Sequence, residues 1–448
     1  MLNQDRILQE IRLRMSEASC LWLGFSGGLD STVLAQLLAP LKKEMTIRLV
    51  HINHQLSPDA NQWQAHCELQ AERLGLGIVS RVVSVESAGR GVEQSARQAR
   101  YRVFRSLLQG NDLLLLAHHA DDVAETFFFR LMRGAGLTGL SAMQETRSLG
   151  LGQVYRPLLD CSKKSLEDYA AAKQLSWVED GSNSDTQFDR NYLRASLMPV
   201  LKQRWPDALE KIAHSVRWLT ESNDLFTEYG LEDLEACERA YARFGERINI
   251  EKFGCYGADR QKHMIRCWAQ SLGFTAPDAG HMARLRDVIE AKEDAKPCLR
   301  WGRCELRRYQ TWLYLVAVQN REEPAGLQNI PIDPGQCLTL PDGSELSCHC
   351  ASSTSEVMEV RFRESGVGGE AGGQPRCKPR DRAHSQSLKK LLHEYHVEPW
   401  LRDRIPFIYC GGELVAVGDA FSCDHRQNLP EDLRFEWRCK ANLPDEFD

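Results

Sequence analysis

The sequence predicts an α/β protein: a doubly wound parallel-sheet domain first, then a small, mainly helical domain, then a mixed α+β C-terminal domain. Three observations carry this. Short apolar runs alternate with amphipathic stretches over roughly the first 200 residues. A glycine turn directly follows the first of those runs. From Trp205 onward the strand signal fades into helical periodicity. A chain of 448 residues has room for two or three domains, and the expected boundaries are 1–215, 216–325 and 326–448.

The elements follow in order. Met1 to Cys20 alternates charge with Leu and Ile, which predicts a short amphipathic helix rather than an export signal. Leu21 onward is apolar and ends in a glycine turn, with helix expected from Thr32 to Ala39. Thr46 to Asn53 and Ile78 to Val85 read as strands. Pro58 to Leu74 and Val92 to Leu108 read as helices, the first opened by Ser57-Pro58-Asp59. Leu113 to Ala117 is fully apolar, as a buried parallel strand should be, and Asp121 to Met132 is helical again. Leu209, Ile212, Ala213, Val216 and Leu219 keep a helical rhythm; helices are also expected over Ala258–Leu272 and His281–Glu290, with short strands around Leu299 to Val318. Gln319 to Ile332 reads as a linker. A strand at Glu359–Arg363 precedes a glycine-rich loop from Gly366 to Gly373.

Composition narrows the class. The chain is 42% hydrophobic and 26% charged, with a net charge of −6, which argues against general nucleic-acid affinity but allows local basic patches. No apolar run approaches the ~18–20 residues of a membrane span. Fifteen cysteines, an odd number with no C-x-x-C spacing, predict reduced thiols and a cytoplasmic location. Cys348-His349-Cys350 reads as surface thiols on a strand rather than a metal site, because no second pair lies nearby.

The segment Ser26-Gly27-Gly28-Leu29-Asp30-Ser31 has the layout of a phosphate cradle: strand, glycine turn, helix N-terminus. Gly27 and Gly28 permit close backbone approach and positive φ. Ser26 and Ser31 supply hydroxyl donors. Asp30 would repel a bare phosphate, so a divalent cation, Mg²⁺, is expected between them. No Walker-type string is present. A second constellation is Ala117-His118-His119-Ala120-Asp121-Asp122-Val123-Ala124-Glu125-Thr126. Asp121, Asp122 and Glu125 project onto overlapping faces of one helix, and their repulsion calls for a cation, either a metal or an ammonium-bearing substrate. An acidic helix cap with a solvated face is the plainer alternative.

The pattern S-G-G-x-D-S resembles the signature of PP-loop ATP pyrophosphatases. Combined with H-H-x-D-D-x-x-E-T it resembles the tRNA-isoleucine lysidine synthetase family, in its longer form with two C-terminal domains. His51 to Leu56, Ala96 to Tyr101, the glycine-rich Arg133 to Leu140, Arg156 to Leu159, Trp177 to Asp180 and Asp189 to Asn191 continue the resemblance through nearly all of residues 20–205. Arg361 to Arg363, Ser387 to Leu392 and Pro399 to Pro406 extend it to the C-terminal part. Ser57 and Pro58 depart from it, since many relatives carry Arg there.

The resemblance implies ATP and Mg²⁺ as cofactors. It implies L-lysine and the CAU-anticodon isoleucine tRNA as partners, and lysidine at the wobble cytidine as product. Residues 26–31 would hold the pyrophosphate of ATP, with Asp30 on the metal. Asp122 and Glu125 would bind the α-amino end of lysine. Arg97, Arg100 and Arg190 would contact phosphate or the adenylated base. His118 or His119 would act as a general base or orient the backbone. Arg376 to Arg404 holds eight Lys/Arg against four Asp/Glu, with Trp400 among them, and is the expected phosphate-contact patch. Rival readings are a tRNA thiolase, which would want paired cysteines, and a non-catalytic tRNA-binding protein. A homodimer stays open as the assembly, and no membrane association is expected.

Overall fold

The computed structural model describes residues 2–15, 20–85, 92–141, 143–179, 189–292, 295–318, 330–333, 335–340, 342–350, 357–362, 376–425, 429–430 and 432–439. The glycine-rich loop, most of the expected linker and Asp180 lie outside these residues. The chain divides into two units, Met1–Phe226 and Thr227–Asp448.

In the first unit, helix α1 (Gln4–Arg14) buries Ile7 and Ile11, and the Asn3 side chain caps it by accepting the Arg6 N–H at 3.1 Å. Strand and helix then alternate: β1 (Leu21–Gly24), α2 (Leu29–Leu38), β2 (Ile47–Asn53), α3 (Ala60–Leu74), β3 (Gly77–Val82), α4 (Val92–Leu107), β4 (Leu113–Leu115) and α5 (Ala120–Met132). The short α6 (Leu137–Leu140), the hairpin β5 (Thr146–Leu149) and β6 (Gly152–Tyr155), and α7 (Lys163–Ala172) follow. The hairpin is absent from the sequence reading; Gly150, at φ +58°, makes its turn.

The sheet order is β3-β2-β1-β4-β6-β5, parallel except for the β5–β6 pair. Leu21, Leu23 and Leu115 are wholly inaccessible, as strands covered by helices on both faces require. The chain runs outward from β1 to β3 and then returns to place β4 on the other side of β1. The loops after β1 and β4 therefore leave the same edge in opposite directions and open a crevice. In register, Leu23 lies beside Leu115, so the glycine turn and the His118-His119 segment begin as neighbours.

Past α7, α8 (Asp189–Tyr192) and α9 (Met198–Arg204) are joined by a π-helical turn, Leu193–Leu197. Ala124 of α5, Met198 of α9 and Leu209 of α10 (Ala208–Ala236) form a small core of their own. That packing brings this irregular helix against the acidic end of α5.

The second unit carries more strand than expected. Helix α11 (Ile250–Gly254) is not expected from the sequence, whereas α12 (Ala258–Ser271), α13 (Ala279–Ala283) and α14 (Leu285–Ile289) fall on the two predicted segments. They accompany a five-stranded antiparallel sheet of β7 (Ala240–Tyr241), β8 (Glu246–Asn249), β9 (Cys298–Trp301), β10 (Cys304–Tyr309) and β11 (Trp312–Ala317). The strands of β8 and β7 escaped the pattern because Glu246, though ionisable, points inward: it is 5% exposed and accepts from Arg239 at 2.7 Å and from the Trp268 indole at 2.8 Å.

The C-terminal part is built on antiparallel strands, β12 (Ile330–Ile332), β13 (Cys337–Thr339), β14 (Glu345–His349) and β15 (Met358–Arg361) among them. Its core includes Phe244, Tyr309, Tyr314 and Val316 from the preceding region, so one apolar interior serves both parts. Cys348 turns into that core at 1% exposure, which corrects its reading as a surface thiol; alternation along β14 puts His349 outside instead.

Leu23→Ala should lower the unfolding free energy by about 2–5 kcal/mol, the cost of a cavity between two covered faces. Chemical denaturation checks this; a loss below about 1 kcal/mol would mean that the sheet relaxes into the space.

Candidate active site

The site begins with the turn after β1. Gly27 sits at φ +82°, where a Cβ would lie 2.7 Å from the Cys67 sulfur and 3.1 Å from Val178, so a side chain is excluded twice over. The Gly27 carbonyl accepts the Val178 N–H at 2.9 Å, which ties the turn to the Trp177–Glu179 segment. Gly28 differs from expectation: it is extended at φ −74° and is the N-cap of α2. The helix starts at Leu29, earlier than the predicted Thr32, because the Gly28 carbonyl already accepts the Thr32 N–H at 3.0 Å. Asp30 and Ser31 thus fall in the first turn, where the backbone N–H groups have no helical partner. The Ser26 and Ser31 hydroxyl oxygens lie 3.1 Å apart, and Ser31 donates to the Gly28 carbonyl at 3.1 Å.

Across the crevice, His119 caps α5. Its N–H donates to Asp122 Oδ2 at 3.0 Å. Its ring Nε2 lies 3.6 Å from both Asp30 Oδ1 and Asp122 Oδ2, and Nδ1 lies 3.8 Å from Asp121. One imidazole therefore joins the glycine turn to the acidic helix. Burial disfavours its charge, but Asp30, Asp122 and Asp121 outweigh burial and raise its pKa above the ordinary 6.5. Asp30 Oδ1 is buried without a hydrogen-bond partner. An orphaned carboxylate oxygen beside a helix N-terminus fits a cation shared with phosphate. Among the described residues, no group of three or more His, Cys, Asp or Glu is arranged to hold a metal by itself. Such a cation would complete its shell with phosphate oxygens and water.

The three acids of α5 have separate fates. Asp121 is a structural anchor: it accepts from Lys202 Nζ at 2.8 Å and from the Lys163 N–H at 2.9 Å. Burial acts to raise its pKa, but these donors win and hold it below the ordinary value. Glu125, 4% exposed, takes both ends of a fork from Arg194, Nε to Oε1 at 2.7 Å and Nη2 to Oε2 at 2.9 Å. Burial, aided by Asp122, keeps its pKa above the usual value even so. Asp122 lies between, with Oδ1 3.7 Å from Arg194. The cations that the acidic spacing demanded are thus His119, Lys202 and Arg194. The latter two went unread in the sequence, although Arg194 stands one helical turn after Arg190, a spacing that could have found it.

The arginines gather around two aromatic rings, Tyr101 and Phe129. Arg97 and Arg147 lie over the buried Tyr101 ring, at 5.1 and 4.9 Å from its centroid. Arg190 lies 5.8 Å from the Phe129 centroid and donates to Thr126 Oγ1 at 3.5 Å. Burial first, then Arg97 and Arg190, depresses the Arg130 guanidinium; burial together with Arg147 and Arg97 does the same to Arg156. His118 faces this positive field. Burial and then Arg156, Arg100 and Arg97 drive its pKa well below 6.5, so it is neutral. The pKa values of His118 and His119, adjacent in sequence, are therefore shifted in opposite directions. Trp400 is not the free ring the basic patch suggested: it packs edgewise on Tyr314 at 5.2 Å, with Arg307 over it at 5.2 Å.

This geometry, a glycine turn at the head of a helix facing an acid cluster across a parallel-sheet switch point, is that of a PP-loop domain, and the model of that domain matches residues 2–201. Residues 249–314 match the TilS substrate binding domain and residues 360–437 the TilS substrate C-terminal domain. Among curated relatives, the tRNA(Ile)-lysidine synthase of Histophilus somni (strain 2336) is 34% identical over 444 residues, 93% of this chain and 100% of the relative. That of Serratia proteamaculans (strain 568) is 36% identical over 458 residues, 98% and 100% of the two chains. That of Coxiella burnetii is 35% identical over 434 residues, 94% and 93%. The chain belongs to the tRNA(Ile)-lysidine synthase family.

The raised pKa of His119 has a testable sign. A protonated His119 contributes stability that is fully present below about pH 6.5 and is lost as the pH rises through its higher folded value. His119→Gln should therefore lower the thermal midpoint more at about pH 6 than at about pH 9. A difference constant with pH would mean a neutral ring in the folded protein.

Proposed function

We propose that this chain ligates free lysine to carbon 2 of the wobble cytidine in the CAU-anticodon isoleucine tRNA, using ATP. The base carbonyl oxygen attacks the α-phosphorus of ATP and pyrophosphate leaves. The lysine ε-amine, deprotonated, then attacks carbon 2, and AMP leaves with the oxygen. Lysidine results, decoding shifts from AUG to AUA, and tRNA identity shifts from methionine to isoleucine. The observation that carries this reading is the single crevice in which His119 stands between Asp30 of the glycine turn and Asp122 of the acidic helix.

Ser26 to Ser31 hold the pyrophosphate of ATP through hydroxyls and the N–H groups of α2. Asp30 would hold Mg²⁺, which supplies charge stabilisation on the leaving pyrophosphate. Asp122 and Glu125 receive the α-ammonium of lysine and leave its ε-amine to reach the base. Arg97, Arg100 and Arg190 face the phosphates of the anticodon loop or the adenylated base. A neutral His118 suits orientation rather than charge stabilisation. Little covalent help is needed, so alignment and charge are the protein's contribution.

No helix among the described residues is long and apolar enough to cross a membrane, and the cysteines are free thiols, in keeping with a cytoplasmic setting. The region after residue 215 and the last domain read the body of the tRNA, which separates it from methionine tRNA sharing the same anticodon letters.

Purified protein with ATP, Mg²⁺, labelled lysine and a CAU-anticodon isoleucine transcript should incorporate lysine with matching AMP release. Asp30→Ala should lower that rate at least about a hundredfold. AMP release without incorporation would assign a different acceptor.

Lys389 and Lys390 are exposed on helix Leu388–Glu394. Replacing both with Glu should weaken tRNA binding about tenfold and reduce its salt dependence, with ATP affinity unchanged. Equal loss of both affinities would count against the division of labour between the domains.

A further inference from the structure

The carboxylate assigned to the substrate amine already holds a cation. Both Glu125 oxygens are engaged by Arg194, at 2.7 and 2.9 Å, and Asp122 Oδ1 lies 3.7 Å from the same guanidinium. The fork takes one acceptor site on each Glu125 oxygen, and an ammonium ion approaching the sites that are left would stand beside a guanidinium of like charge on a carboxylate whose charge is already answered. A carboxylate buried as Glu125 is cannot stand unpaired either, so the lysine-free protein needs a cation of its own there.

Arg194 is suited to being temporary. Its side chain is 38% exposed, against 5% for that of Glu125, so it can return to water at a cost Glu125 could not bear. It also lies in the π-helical turn Leu193–Leu197. A π turn is a local excess of one residue in an α-helix, and its hydrogen bonding can re-register over a few residues without unfolding the helix. Lys202 beyond the turn is fixed on Asp121 at 2.8 Å, so the far end stays anchored while the turn changes.

We infer that Arg194 is a displaceable internal ligand: its guanidinium occupies the amine site on Glu125 and Asp122 until lysine replaces it. This rests on the assignment of Asp122 and Glu125 to lysine made above. Arg194 is a positioning residue here. It keeps the acid pair ionised and in place, and lysine affinity is reduced by the fraction of molecules in which the fork is closed.

The test is calorimetric titration of L-lysine into the full chain with Mg²⁺ and a non-hydrolysable ATP analogue, at about pH 8.5 to keep Glu125 ionised without its arginine. Arg194→Met should bind lysine at least about fivefold more tightly than wild type, and Arg194→Lys, with one contact point in place of a fork, should fall between them. Methylguanidinium should compete with lysine in Arg194→Met, where the guanidinium place is vacant, and have little effect on wild type. A purely structural arginine gives the opposite sign: weaker lysine binding in both variants and no competition. That result, alongside a Glu125→Gln variant that binds lysine about tenfold more weakly, would overturn the displacement and leave the lysine site standing. Glu125→Gln with unchanged lysine affinity would overturn both.

Discussion

The crevice depends on the neutralisation of four neighbouring carboxylates, two of them buried, at the heads of α2 and α5. Asp30, Asp121, Asp122 and Glu125 are brought together by the parallel sheet, whose switch point places two loop ends side by side. Unpaired, they would repel one another and resist burial. The chain answers with a basic group for each: Lys202 for Asp121, Arg194 for Glu125, and His119, whose pKa is raised, between Asp30 and Asp122. Lys202 and Arg194 come from one irregular helix, which is why its packing through Ala124, Met198 and Leu209 matters to chemistry as well as to the core.

The head of α5 is electrically divided. His119 stands among Asp30, Asp122 and Asp121, which raise its pKa; His118, its neighbour in the chain, is buried near Arg156, Arg100 and Arg97, and its pKa is depressed. Two consecutive histidines thus mark the line between an acidic and a basic surrounding.

Much of this was legible in the sequence. The order of strands and helices through α5 follows from apolar runs and periodicity, and the glycine turn and acid cluster were visible as motifs. What escaped did so for physical reasons. Lys202 lies beyond a π turn, so no regular face announced it; Arg194 could be found only through its spacing from Arg190. The strand around Glu246 hides a buried acid whose partners, Arg239 and Trp268, are distant in sequence. Gly28 looked like a second positive-φ residue, yet only Gly27 faces a steric wall from Cys67 and Val178, which sequence spacing cannot reveal. The unity of the second unit is likewise a matter of which apolar faces meet, and Tyr309 and Tyr314 carry no mark of the core they join.

The two hydroxyls of the glycine turn carry one last consequence. Ser31 donates to the Gly28 carbonyl, and its oxygen lies 3.1 Å from that of Ser26, so the hydroxyls are engaged with the turn itself. An anion docking there would have to rotate them outward and break that small ring, and the ring would close again once the anion left. A turn of this kind would grip an anion less tightly than its donor count suggests.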